Sequence, residues 1–129
     1  MQAVMVVPSG AENTLTHNVA GVPLLVRVIA TAMRGGVKEL VLFWPGDTDT
    51  KLWDQVAASP ALSGLHTRQI QSFPFDPRQS GNWAAMSTLL NDEVLWLPWN
   101  FVTSSRILAA IEPSPVIPLS WDEPIRLSK

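Results

Sequence analysis

Ala3-Val4-Met5-Val6-Val7 is an unbroken apolar run that stops at Pro8-Ser9-Gly10. A strand covered on both faces reads this way, because neither side of it has to meet water. Two further runs share the design. Glu39-Leu40-Val41-Leu42-Phe43-Trp44 ends at Pro45-Gly46, and Val94-Leu95-Trp96-Leu97 is cut by Pro98. Between the first two, Pro23 opens a helical stretch with Leu24, Leu25, Val28, Ile29 and Ala32 at helix spacing, and Gly35-Gly36 supplies its stop. Asp47-Thr48-Asp49 offers caps for a second helix through Leu52, Trp53, Val56 and Ala57, ending before Pro60. His66 to Gln71 alternates only weakly, as an edge strand does, and Ser80-Gly81-Asn82 precedes a helix from Trp83 to Leu90. Thr103-Ser104-Ser105 caps a helix to Ile111, and Pro115-Val116-Ile117-Pro118-Leu119 is the candidate last strand. Strands alternating with helices predict an α/β fold with right-handed crossovers, a three-layer, mostly parallel Rossmann-like sheet.

Length and composition agree with one such domain over residues 1–129. Apolar residues make up 47% of the chain, enough for a core, whereas charged residues supply 16% against roughly 25% in an ordinary soluble domain. The formal charge of −2 offers no basic field for nucleic acid. Cysteine is absent, which excludes disulfides, thiolate zinc sites and a cysteine nucleophile. No apolar run approaches the ~20 residues of a membrane span, and the first residues lack the basic region of a signal peptide, so a cytoplasmic setting is expected. Six Trp and eleven Pro with no Tyr are unusual. They read either as a Trp-rich core or as an apolar surface that docks a partner domain or a second copy.

In open α/β sheets ligands sit beyond the carboxyl ends of the strands. Those positions are Pro8-Ser9-Gly10, Trp44 to Asp47, the loop from Phe73 to Asn82, and Pro98-Trp99-Asn100. Ser9-Gly10 reads as a small-residue loop whose amides approach a nucleotide, although any strand-to-loop turn favours these residues. Arg78 is a candidate anion contact or an ordinary loop arginine. Asp47 and Asp49 follow a strand, where a phosphate or metal could bind, although helix capping is the simpler account of them. His17 and His66 have no ligand spacing with carboxylates that would make a zinc site. Ser9 lacks the G-x-S-x-G elbow of a hydrolase.

The order of these elements resembles that of GT-A-type nucleotidyltransferases, the nucleotide-diphospho-sugar transferase type of sheet. The resemblance rests on Ala3 to Gly10, on Val19-Ala20-Gly21-Val22-Pro23-Leu24-Leu25-Val26-Arg27-Val28-Ile29, and on Gly36-Val37-Lys38-Glu39-Leu40-Val41-Leu42. Ser80-Gly81-Asn82-Trp83-Ala84-Ala85 is similar to the Gly-led helix start facing the base, and Val94 to Val102 to the later strand whose end carries the metal-binding Asp. The chain looks most like the cytidylyltransferase-like domain preceding CDP-alcohol phosphatidyltransferases, with molybdenum-cofactor guanylyltransferases also similar. That resemblance implies the N-terminal part of a longer protein, a role near phospholipid biosynthesis, and Mg²⁺-dependent transfer of a nucleotidyl group, CMP by the closest likeness, to a sugar or polyol phosphate. It implies that Ser9, Gly10, Gly81, Asn82 and Arg78 contact a nucleotide or small phosphorylated metabolite, and that Asn100 stands on the metal side.

Two departures from the pattern bear on activity. Residues 1–26 hold no Lys or Arg, and the loop carries Glu12 where a polyphosphate needs cations. Asn100 stands where the pattern has Asp, and an amide carbonyl brings Mg²⁺ no charge. Asp122-Glu123 could supply late carboxylates, although acidic pairs near a terminus are commonly just solvated. A weakened or inactive nucleotidyltransferase-like domain is therefore expected. The alternative is a non-catalytic binding or interaction domain on the same scaffold. Trp99, bulky and just past the strand end, is expected to cover the cleft where a nucleotide would sit.

Overall fold

The structure, a computed structural model, describes residues 1–7, 18–19, 22–44, 51–71, 75–91, 93–100, 113–114, 121–122 and 124–128. Strand β1 (Gln2–Val6) is its centre. It pairs in parallel with β4 (Glu39–Trp44) on one side and with β6 (Glu93–Trp96) on the other. The remaining partners are β5 (His66–Gln71), parallel to β4, and β8 (Ile125–Ser128), antiparallel to β6, with the short β7 (Pro113–Ser114) beyond it. Among the described residues this gives a six-stranded sheet in the order β5-β4-β1-β6-β8-β7. The short strands β2 (Asn18–Val19) and β3 (Val22–Pro23) pair separately as an antiparallel ribbon. Helices α1 (Leu24–Arg34) and α2 (Lys51–Ala57), with a 3-10 turn at Pro60–Leu62, connect β1, β4 and β5, and α3 (Ser80–Ala85) lies between β5 and β6.

The apolar runs form buried strands because both faces are covered. On one face Ala3, Met5, Leu40, Leu42, Trp44, Leu95 and Leu97 meet Leu25, Val28, Ile29 and Ala32 of α1, with Trp53 and Val56 of α2 and Leu62. Each large aliphatic side chain removed from water there contributes about 1.5–3 kcal/mol before entropy is counted. On the other face Val4, Val41, Phe43, Val94 and Trp96 meet Phe75 and Leu90, with Trp83, Met86, Trp121, Ile125 and Leu127 packed at the margin. Among the described residues this second face is covered by α3, turns and loop segments. The expected pattern of a mostly parallel α/β sheet therefore holds, with an antiparallel margin that the sequence reading did not include.

The stop of α1 follows from its glycines. Val37 N–H reaches the Ala32 carbonyl and Gly36 N–H the Met33 carbonyl, each at 3.0 Å, while Gly36 takes φ +110°. That is the Schellman arrangement, and it requires a residue without a Cβ penalty at Gly36. It turns the chain directly into β4. The third helix departs from expectation: it spans Ser80–Ala85 rather than starting at Trp83 and running to Leu90. Beyond it, Leu89 and Leu90 N–H groups both fold back onto the Met86 carbonyl. This turn seats Leu90 in the core. The expected helix after Thr103 and the strand at Pro115 to Leu119 lie outside the described residues.

Candidate functional site

From β1 the chain moves to β4 and β5 on one side, then returns to place β6 on the other side of β1. Right-handed crossovers put helices on opposite faces when the lateral direction reverses. The packing agrees: α1 and α2 cover the first face, whereas Trp83 of α3 lies against the second. The reversal marks the boundary between β1 and β6 as the topological switch point, where such sheets bind ligands.

A cleft of about 580 Å³ opens there, within the size range of small-molecule sites. Its floor is Val6 at the end of β1 with Trp96 and Pro98 at the end of β6. Trp99 and Asn100 stand on one side, Asp76, Pro77 and Arg78 on another, and Trp121 and Asp122 close the third.

The arm from Phe75 to Gln79 is held from within. Asp76 Oδ1 accepts the Arg78 backbone N–H at 3.0 Å, the local turn that Asp favours. Arg78 Nε and Nη2 donate to Oδ1 and Oδ2 at 3.1 and 3.2 Å, a two-point pairing. Side-chain hydrogen bonding from Arg78, helped by its backbone N–H, holds the Asp76 carboxyl below the usual carboxylate range. The same pairing pushes the Arg78 guanidinium further up. Arg78 keeps 75% of its side chain exposed, so solvent screens the pair and its energetic worth is small. The arm is anchored to α3 where Asn82 Oδ1 accepts the Asp76 N–H at 2.8 Å and Trp83 Nε1 donates to the Pro77 carbonyl at 2.8 Å.

The third wall hangs from the aromatic core. Phe75 stacks on Phe43 with centroids 4.5 Å apart and meets Trp83 edge-on at 4.9 Å. Trp83 lies 6.4 Å from Trp96 and 6.2 Å from Trp121. The open question of the tryptophans is thereby answered for most of them. Trp44 and Trp53 are buried on the first face and Trp96 on the second, where Trp83 packs at the margin; among the tryptophans Trp99 and Trp121 turn half-buried rings toward the cleft.

Of the residues expected at the site, Arg78 and Asn100 stand in the cleft wall. Gly81 and Asn82 lie in the first turn of α3 and are not among the lining residues. A Cβ on Gly81 would meet open space, and Asn82 has its carbonyl engaged with Asp76. Ser9, Gly10, His17, Asp47 and Asp49 lie outside the described residues. His66 begins the edge strand, away from the cleft. The expectation for Trp99 is corrected: an open, ligand-sized space exists beside Asn100, and Trp99 forms its side rather than filling it. Asp76 and Trp121 were not picked out in the sequence. Asp76 carries the Asp-Pro turn signal, whereas Trp121 has no local one.

Among the described residues no group of three or more His, Asp or Glu could hold a metal ion. At Asn100 a magnesium ion would find a neutral carbonyl, Asp122, and an Asp76 carboxylate already bound by Arg78. Such oxygen donors are the type a hard dication takes, but one of the two carboxylates is already engaged by the Arg78 guanidinium. Among the described residues no helix is long and apolar enough to cross a membrane.

No family model matches the chain, and no curated protein matches it by sequence. Solved structures do resemble it. HddC from Yersinia pseudotuberculosis superposes with a TM-score of 0.56 at 13% identity, covering 76% of this chain and 47% of that one. A nucleotidyl transferase from Methanothermobacter thermautotroptrophicus (Mth528) gives 0.57 at 18% identity, covering 88% of this chain and 57% of that one. The chain thus spans about half the length of these structures. At such identities the likeness speaks for the backbone, and what it shows is a small α/β domain with a nucleotidyltransferase-like fold.

Proposed function

We propose that the chain is a nucleotidyltransferase-like domain of the GT-A type, acting in the cytoplasm, whose power to handle a polyphosphate is weakened or lost. The observation that carries this reading is the cleft at the β1/β6 switch point, the place where this fold receives its ligand. In a working enzyme, an acceptor phosphate oxygen would form a bond to the α-phosphorus of a nucleoside triphosphate, CTP by the closest resemblance, as the bond to pyrophosphate breaks. Charge then builds on the leaving group and must be met by cations. Arg78 is the cation in the described wall, and Asp76 already engages it at two points. Ser9 and Gly10 would approach the nucleotide from the β1 loop. No step is assigned to magnesium, because one of the two carboxylates that line the cleft with Asn100 is already engaged by Arg78.

A second reading, a non-catalytic binding domain on the same scaffold, is favoured by the compensated arginine. Calorimetric titration with CTP and the other nucleoside triphosphates, with and without Mg²⁺, separates these readings. Weak binding led by one nucleotide is the expected result. Micromolar, magnesium-dependent binding would show a competent enzyme, and silence from every nucleotide would leave the binding-domain reading.

A further inference from the structure

We infer that the cleft at the β1/β6 switch point recognises a flat, uncharged nitrogen heterocycle with a lactam edge, such as the base of a nucleoside, by stacking it on Trp99 and Trp121. This deepens the reading above and rests on it to the extent that both place ligand in this cleft.

Charge gives the described wall little to recognise with. Asp76 and Arg78 satisfy one another at two points, and Asp122 is not without a partner. Residues 1–26, which carry the loop after β1, hold no Lys or Arg. A polyphosphate finds no uncompensated cation among the described lining residues, and an uncharged ligand needs none. Recognition falls to the rings.

Those rings come from both sides of the sheet. Trp99 packs against the core of the first face and Trp121 against the core of the second, and both border the cleft half-buried. A space of about 580 Å³ takes a small molecule rather than a folded partner. Offset stacking suits a conjugated ring, and a base on an aromatic side chain gains roughly fivefold to a hundredfold in affinity. A puckered ring cannot lie parallel to an indole and gains less. The indole of Trp121 is fixed for the task, since its backbone carbonyl receives the Trp96 Nε1–H at 2.8 Å and its ring packs edge-on against Trp96. A rigid aromatic wall loses little entropy when the ligand arrives. Asn100 follows Trp99 at the exposed rim, and its carboxamide both donates and accepts, the complement of a lactam edge.

The test uses the intact chain and two nucleosides, uridine and 5,6-dihydrouridine. They share the ribose and the lactam edge, but the second has a saturated, puckered base. Binding is followed by tryptophan fluorescence and by chemical shifts of the indole N–H groups. Uridine is expected to bind at least about fivefold tighter than dihydrouridine. Trp99→Leu is expected to shrink that preference, with the urea midpoint as the check on its fold. Asn100→Ala, at an exposed position, is expected to weaken both nucleosides by the same factor and so keep the preference. Equal affinity of the unaltered chain for the two nucleosides, no shift at the Trp99 and Trp121 indoles, or a preference lost in Asn100→Ala would overturn the inference. Nucleoside triphosphates are titrated in parallel. Triphosphate binding without a uridine preference defeats this inference alone, whereas a uridine preference without binding of any triphosphate defeats the transferase reading alone.

Discussion

Trp96 donates its Nε1–H to the backbone carbonyl of Trp121 at 2.8 Å, and the two indoles meet edge-on with centroids 5.5 Å apart and planes at 81°. One residue is at the end of a central strand and the other leads into the strand that flanks it, so this contact ties the cleft's far wall to the sheet. Trp96→Phe would keep most of the ring packing but orphan that carbonyl and leave a small void. A loss of about 2–4 kcal/mol is expected, read as a lower urea midpoint at an unchanged slope. A change under about half of that would mean the wall is held by other contacts.

Gln2 is a buried amide with 1% of its surface exposed, and every partner it needs is present. Its Nε2 donates to the Leu89 carbonyl at 2.9 Å and to Glu39 at 3.2 Å, while its Oε1 accepts the Asn91 N–H at 2.7 Å. Gln2→Leu leaves two part-buried backbone groups without this partner, which costs about 1–3 kcal/mol. Amide exchange at Asn91 is the specific readout, because that N–H is the group released.

Gly81 and Gly36 should respond oppositely to alanine. Gly81 sits in a helix with nothing within 4 Å of a built Cβ, so Gly81→Ala is expected to stabilise by about 0.5–1 kcal/mol. Gly36 has φ +110°, and Gly36→Ala is expected to destabilise by more than about 1 kcal/mol. Thermal melts of the two variants side by side decide it. The Gly81 variant also serves the function: if its affinity for nucleotides falls while its stability rises, the glycine is there for a ligand.

Acid should loosen the arm at Asp76. Its carboxyl is held below the ordinary range by hydrogen bonds from Arg78, so the folded state binds the proton less readily than the unfolded chain does. The pairing is fully present above the ordinary carboxylate range and is lost as pH falls through the lowered folded value. A carbon-detected titration of the Asp76 carboxyl should show the depressed midpoint, and Arg78→Gln should return it upward. An unshifted midpoint in the unaltered chain would show that the bridge does not persist in solution.

The central sheet was legible because its strands are buried on both sides and punctuated by proline or glycine. β1, β4 and β6 fall at the apolar runs within a residue or two, and the exposed β5 showed as an edge by its poor alternation. β8 was not legible. Ile125-Arg126-Leu127-Ser128 is too short for its alternation to count, and it becomes a strand only beside β6, where Arg126 also meets Glu93. The site followed the same division. Arg78 and Asn100 were found because strand ends can be read, whereas the wall at Trp121 depends on the antiparallel return of β8, a long-range event without a local signal. The covering role expected of Trp99 failed because bulk alone does not say whether a ring fills a space or borders it.

The central position of β1 also bears on how the chain is born. Once synthesised, β1 gains one neighbour in β4 soon afterwards, but its other edge waits for β6, whose first residue is Glu93. At ordinary translation speeds that interval is on the order of 5–20 seconds. Through it, a half-completed sheet carries an unpaired and largely apolar edge strand, the kind of surface that holding chaperones and neighbouring nascent chains compete to cover. Early stalling or truncation before β6 should therefore yield aggregates rather than a smaller stable domain.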